Sequence, residues 1–244
     1  MSILEATDIS VRFGGITALD GATLSAEAGT ITGLIGPNGA GKTTMFDALT
    51  GFVEVDSGRI CVDGREVTTM SPHRRSRLGV ARTFQRLELF SGLTVLENVE
   101  CAAGMSHGAR GRARAAHRIA EPIIKRVGLG PVAHVRAGLL PTGQARLVEV
   151  ARALATLPKV LLLDEPASGQ SETETEQFSL LLRELADEGL AVMLVEHDMD
   201  LVMHVCSKIV VLNFGRVIAT GTPQAVRHDP AVIAAYLGAG AGRG

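Results

Sequence analysis

Aromatic side chains are scarce: the 244 residues include no tryptophan and one tyrosine, and aromatics make up only 3%. That argues against a stacking platform for single-stranded nucleic acid. Charge of either sign is also in short supply as a net quantity. The formal balance is −2 at pH 7, so no electrostatic preference for nucleic acid is expected, and no such partner. Cys61, Cys101 and Cys206 are too scattered for metal-ligand spacing or a disulfide framework, and an odd count fits a reducing compartment. Long apolar runs are absent: GLAVMLV at 189–195 falls far below the roughly 18–20 residues a membrane helix needs. The opening MSILEATDIS has acidic residues and no apolar h-region, which argues against a signal peptide. The reading is a chain soluble by itself that reaches a membrane only through a partner.

Apolar residues make up 46%, enough to core one large domain or two small ones. Residues 3–13 and 17–24 read as strands around Phe13-Gly14-Gly15, and 59–64 as a third ending at Asp63-Gly64. They predict an antiparallel edge layer. TITGLIG at 30–36 reads as a buried strand running into PNGAGKTT and a helix stopped by Gly51. From about 86 to 145 helix formers dominate. Residues 97–99 and 112–127 read as helical, with Pro122 as a break or as the first turn of a second helix. Strand patterns return at 160–166, 191–197 and 208–215, with a helix at 145–156 before the first and another at 174–187 between the first and second, which predicts a mostly parallel sheet covered by helices. A helical tail opens at 221–223, and 238–244 is expected to fray. The basic residues Arg110, Arg112, Arg114, Arg118, Lys125 and Arg126 read as a solvated helix face, with docking to a polar or anionic partner as the sharper alternative.

Gly36-Pro37-Asn38-Gly39-Ala40-Gly41-Lys42-Thr43 fits the P-loop pattern in full, with a strand before it and a helix after. The glycines let backbone N–H groups face phosphate oxygens, and the helix N-terminus adds a favourable dipole. Lys42 can reach the β- and γ-phosphates of ATP, and the Thr43 hydroxyl can ligate Mg²⁺. Thr44 continues the cradle. Leu161-Leu162-Leu163-Asp164-Glu165 is an apolar strand ending in two carboxylates, at the sheet end where open α/β folds bind ligands. Successive strand residues point opposite ways. Asp164 is suited to the Mg²⁺ shell, and Glu165 to polarising the attacking water. His197 closes another apolar strand and is suited to the γ-phosphate. Gln85 stands where the core gives way to the helical stretch, suited to Mg²⁺ or water. Phe13 is a candidate for stacking on adenine, with core packing as its rival.

These residues resemble the ATP-binding cassette (ABC) family in order and spacing. RFGGITALDG (12–21), RTFQRLELFSGLTVLENV (82–99), LNFGRVIATGTP (212–223) and VIAAYLG (232–238) look more narrowly like ATP-binding subunits of branched-chain amino acid importers. Urea and short-amide importers share much of the pattern. The resemblance covers nearly the whole chain. It implies an α/β fold: a P-loop NTPase core of ABC type (1–85 and 146–220) with an antiparallel β edge layer, an inserted helical subdomain (86–145) and a C-terminal tail (221–244). It implies ATP hydrolysis driving import on the cytoplasmic face of the inner membrane. The implied partners are permease subunits, a second cassette and, indirectly, an external substrate-binding protein. Such cassettes pair head to tail, so one subunit's signature loop closes over the other's ATP.

That signature is usually a leucine, a serine, two glycines and a glutamine. Here Leu140-Pro141-Thr142-Gly143-Gln144 stands in its place. Thr142, Gly143 and Gln144 are the implied nucleotide contacts. Pro141 lacks both an N–H and a hydroxyl, which removes two donors but suits a helix start. Gln170 and Ser171 also depart from the family's pattern, on the same implied interface. The expectation is an asymmetric pair, in which the site closed by this signature is weakened. A homodimer that tolerates the changes is the rival. A P-loop kinase or GTPase would need none of this company, and a DNA-repair cassette would need coiled-coil arms that 244 residues do not accommodate. A scaffold without catalysis is opposed by Lys42, Asp164 and Glu165.

Overall fold

The computed structural model describes residues 1–106 and 112–240. Arg110 and the last four residues of the glycine-rich tail lie outside the described residues. Strands β1 (Ser2–Phe13) and β2 (Ile16–Glu27) form a hairpin, and β3 (Ile31–Ile35) runs through the P-loop into α1 (Lys42–Thr50). A second hairpin, β4 (Ser57–Val62) and β5 (Arg65–Glu66), leads through α2 (Pro72–Arg77) to the short strand β6 (Val80–Arg82). Helices α3 (Val95–Ser106) and α4 (Arg112–Arg126) and two 3-10 turns make the insert. Then α5 (Thr142–Leu154), β7 (Val160–Asp164), α6 (Glu172–Asp187), β8 (Ala191–Val195), α7 (Met199–Val205) and β9 (Lys208–Asn213) alternate, and β10 (Arg216–Gly221), α8 (Pro223–Arg227) and α9 (Pro230–Gly240) complete the chain's elements.

Strands β2, β1, β4 and β5 pair in that order as an antiparallel sheet. The second sheet runs β10-β9-β3-β8-β7-β6, parallel throughout except where β10 turns back on β9. Each central strand alternates between two apolar clusters. Leu161, Leu163, Val192, Leu194, Ile209 and Val211 face α3–α7, whereas Leu162, Met193, Val210 and Leu212 face α1 and the antiparallel sheet. Both faces are therefore covered, which is why these strands read as continuous apolar runs. A sheet covered on both sides holds its strand ends rigidly, and those ends carry the chemistry.

Three sequence expectations change. Helix α4 runs straight through Pro122, so that residue neither breaks it nor starts another. Pro122 is exposed, and the carbonyl four residues back can be hydrated, while Ala116, Ala120, Ile124 and Val127 stay buried in the core cluster. Packing of that stripe outweighs the lost bond. Helix α9 continues to Gly240, beyond the expected fraying point at 238. Phe13 is 52% exposed, which removes the core-packing reading. Strands β6 and β10 and helices α2 and α7 are not legible in the sequence: β6 is only three residues long, and β10 is a half-exposed edge with no clean alternation.

One buried cation locks the far end of α1. The Arg75 side chain donates to the carbonyls of Ala48, Leu49, Met70 and Thr68 at 2.5–2.9 Å. It satisfies helix-end acceptors that would otherwise be orphaned. Arg75→Met is expected to leave them unpaired and to lower the unfolding free energy by about 3 kcal/mol, read by urea denaturation.

Candidate active site

The chain leaves β3 at Ile35 and turns through Gly36 at φ 152°, where a Cβ would overlap the Leu212 carbonyl oxygen. Gly41, at φ 107°, caps α1, and a Cβ there would lie 2.6 Å from the Ala18 carbonyl. Both positions demand glycine so that the loop can fold tightly against β2 and β9. Helix α1 has no acidic residue in its first turn, so none of its own side chains there cancels the positive field of its free N–H groups. Lys42 is buried, and its Nζ donates to the carbonyls of Gly36 at 2.7 Å and Pro37 at 3.1 Å. Burial pushes its pKa down, and Glu165 and Asp164 push it back up.

Strands β7 and β8 end beside this loop. After Asp164 the backbone enters the left-handed region, with Glu165 at φ 50°. For a non-glycine residue this is a costly conformation of the kind that collects at functional sites. The turn separates the two carboxylates. Glu165 Oε1 meets the Nε2 of His197 at 2.9 Å and accepts from Gln85 Nε2 at 3.1 Å. Asp164 is 1% exposed, and its Oδ2 accepts from Arg82 at 3.1 Å. Burial raises the Asp164 pKa against the opposing pull of Arg82.

One cleft of about 370 Å³ gathers Asn38, Gly39, Gly41, Lys42, Thr43 and Thr44 with Gln85, Glu165 and His197. Ile16, Thr17 and Ala18 of β2 line its side. Gly36 and Asp164 are buried and do not themselves line the cleft. Phe13 is paired with Ile16 in the hairpin and does not itself line the cleft. Thr142, Gly143 and Gln144 also stand outside it. The donors suited to a magnesium ion are the Thr43 hydroxyl, the Asp164 carboxylate and the Gln85 amide oxygen, a hard all-oxygen set that fits Mg²⁺. Among the described residues no three His, Cys, Asp or Glu side chains make a self-sufficient metal cage. A cation held here would therefore share phosphate oxygens and water, as Mg²⁺ does in nucleotide sites.

Residues 19–168 match the ABC transporter family. The chain belongs to that family. Residues 216–242 of the cassette also match the branched-chain amino acid ATP-binding cassette transporter family. The cassette is 41% identical to BraF of Pseudomonas aeruginosa, a high-affinity branched-chain amino acid transport ATP-binding protein, over 97% of this chain and 98% of that one. It is 38% identical to LivG of Escherichia coli, of the same description, over 97% and 98%. It is 33% identical to the lipopolysaccharide export ATP-binding protein LptB of Haemophilus influenzae, over 98% of each chain. Among solved structures, an ABC transporter cassette in its ADP conformation superposes with a TM-score of 0.87 at 31% identity, covering 98% of this chain and 99% of that one.

The signature-like segment of the cassette starts α5, with Pro141 as the residue before the first turn. Gly143 packs so closely on the loop after β7 that a Cβ would lie 3.2 Å from the Gly169 carbonyl. Gln170 donates to the Pro166 carbonyl at 3.3 Å. Ser171 has a local task of its own: with Glu174 it forms a capping box at the start of α6. Its place in the sequence is thus explained by helix capping.

Several residues that the motifs do not single out hold the site together. Arg146 of α5 donates to the carbonyls of Phe84 at 2.7 Å and of Gln85 at 2.5 Å. Glu149 accepts from the Glu88 amide at 2.9 Å, and Arg152 donates to the Glu88 carbonyl and lies 4.9 Å over the Phe90 ring. The helix that carries the signature therefore grips the segment that carries Gln85. Glu196, only 6% exposed, accepts from the amides of Ala167 at 2.8 Å and His197 at 3.1 Å. Burial raises its pKa, and these backbone bonds oppose the rise. It ties the loop after Glu165 to the loop of His197. Glu196→Ala is expected to speed exchange of the Ala167 and His197 amides at least tenfold and to cost about 2 kcal/mol of stability, checked by hydrogen exchange and denaturation.

Proposed function

We propose that this cassette is the ATP-hydrolysing subunit of a membrane importer, with branched-chain amino acids as its most favoured cargo. The observation that carries the catalytic part is the convergence of Gln85 and His197 on Glu165 at the mouth of the P-loop cleft. The match over residues 216–242 and the relatives' printed descriptions support the cargo.

The proposed roles derive from position. Lys42 and the N–H groups of Gly39 to Thr44 hold the β- and γ-phosphates, and Phe13 supplies a face for adenine from the exposed end of the hairpin. Thr43, Gln85 and Asp164 would hold Mg²⁺, which when bound would supply charge neutralisation at the phosphates. Glu165 takes the proton of the water that attacks the γ-phosphorus, and ADP leaves as that bond breaks. His197 orients Glu165 and donates toward the γ-phosphate. Catalysis of this kind is positioning and charge stabilisation. Thr142, Gly143 and Gln144 serve the nucleotide of a second cassette, with which this one pairs.

A groove of about 440 Å³ lies between the core and the insert, lined by Phe52, Arg75, Phe84, Ala102, Met105 and Arg152, among others. It supports docking of a permease element and thereby a location on the cytoplasmic face of the inner membrane. The assignment divides the chain into a core (1–85 and 146–220), a helical subdomain (86–145) and a C-terminal tail (221–244). An external substrate-binding protein would deliver the cargo to the permease. Pro141 favours a heteromeric pair, because the loop it begins lacks a donor that the partner's loop supplies.

Phosphate release by the membrane complex purified through a tag on this chain tests the reading. Glu165→Gln is expected to cut the rate by at least about a hundredfold while ATP still binds, as loss of a general base does. Pro141→Ser with Thr142→Gly is expected to raise hydrolysis by about tenfold, the equivalent of one regained charge-assisted hydrogen bond in the transition state. Unchanged rates in the first variant would overturn the role of Glu165. No gain in the second would overturn the weakened signature.

A further inference from the structure

Arg82 opens the run that carries Gln85 but has no assigned nucleotide role, and it sits between the P-loop helix and the strand of Asp164. It ends β6, the edge strand beside β7. Its Nη1 pairs with Oδ1 of Asp47 on α1 at 2.5 Å, and its Nη2 pairs with Oδ2 of Asp164 at 3.1 Å. Its side chain is 5% exposed, against 30% for Asp47 and 2% for Asp164. The Phe46 and Phe84 rings lie 5.5 and 5.2 Å from the guanidinium carbon, which confines the fork. Its Nε is buried without a partner, so the group is held by its two ends.

A bare scaffold would not need this arrangement. An isolated buried carboxylate at Asp164 would be expensive, but one cation beside it would suffice to offset that. Here the cation also spans to α1, the helix that begins with Lys42 and Thr43. The fork thus fixes the distance between the strand that presents Asp164 and the helix that presents Thr43. It engages Oδ2 of the Asp164 carboxylate and not Oδ1. Outer partners of this kind orient metal-binding carboxylates.

We propose that Arg82 is a positioning residue for the magnesium of the hydrolytic site, setting the orientation of Asp164 by tying it to Asp47 on the P-loop helix. The proposal rests on the ATPase reading above. It assigns Arg82 a role that its exposed neighbours in the groove do not share, because among the described residues only Arg82 reaches both carboxylates.

The test measures binding of a fluorescent ATP analogue to the full chain, first in EDTA and then across a Mg²⁺ titration. Arg82→Gln is expected to raise the Mg²⁺ concentration at half-effect by about tenfold, as loss of an outer partner does. Affinity in EDTA is expected to stay within about twofold, because the P-loop is untouched. Arg82→Lys keeps the charge but cannot span both carboxylates, and is expected to recover less than half of the loss. Asp47→Asn, which spares Arg82 and Asp164, is expected to shift the midpoint in the same direction by about threefold. An unchanged Mg²⁺ midpoint in folded Arg82→Gln would overturn the proposal. So would an equal loss of affinity in EDTA, which would make Arg82 a strut of the P-loop. If Arg82→Gln does not fold, an unchanged midpoint in Asp47→Asn overturns it instead. A wild-type chain that binds the analogue with no Mg²⁺ dependence would overturn the metal-assisted ATPase reading itself, and this inference with it.

Discussion

Parallel pairing of β3, β8 and β7 makes three strand ends finish on one rim, and the active site is assembled from the residues at and just beyond those ends. β3 leads into the P-loop, β7 ends in Asp164 and turns into Glu165, and β8 leads into Glu196 and His197. Apolar residues alternate between two cores on each of these strands, so a register slip by one residue would exchange the side chains that a strand sends into the two cores. The strand ends at the rim are therefore held in register by the core. There the strained backbone of Glu165 can persist, and it turns the carboxylate away from Asp164 toward His197 and Gln85.

The second feature is mechanical. Gln85 sits on an exposed segment that would be free to wander, but α5 grips its backbone through Arg146, and grips Glu88 through Glu149 and Arg152. The same helix begins with Thr142 and Gly143. A displacement of the signature end would thus be transmitted to Gln85, and through Gln85 to Glu165. The groove beside the insert shares Phe84, Glu149 and Arg152 with this linkage. A body pressed into the groove would meet Glu149 and Arg152, which hold the backbone of Glu88, and Glu149 in turn pairs with Arg146. Glu196 performs the corresponding task on the other side, joining the loop after Glu165 to that of His197.

Much of this is legible in the sequence alone, for reasons that differ by residue. The P-loop is contiguous, so its glycines, Lys42 and Thr43 announce themselves together. Asp164, Glu165 and His197 each come after a run of apolar strand residues, and the chemistry stands out against that background. Gln85 is legible only as the point where strand patterns stop. The roles of Arg82, Asp47, Glu149 and Glu196 are not, because a buried charge is recognised by its partner, and these partners lie 29 to 82 residues away. Ser171 reads as a departure when set against the family's pattern, yet its capping box with Glu174 is a local device at a spacing of three. Pro122 misleads for the opposite reason: a local breaker is overridden by tertiary packing of Ala116, Ala120 and Ile124.

If ATP held in this cleft draws two cassettes together, and Glu165 then releases them by hydrolysis, a chain that cannot hydrolyse should be trapped in the pair. Light scattering on the Glu165→Gln chain with ATP and Mg²⁺, alone and mixed with the second cassette of its complex, measures that directly. The expected result is a doubling of mass that appears with ATP in the mixed sample and reverses when ATP is removed. ATP bound by the chain with no change of mass in either sample would contradict it.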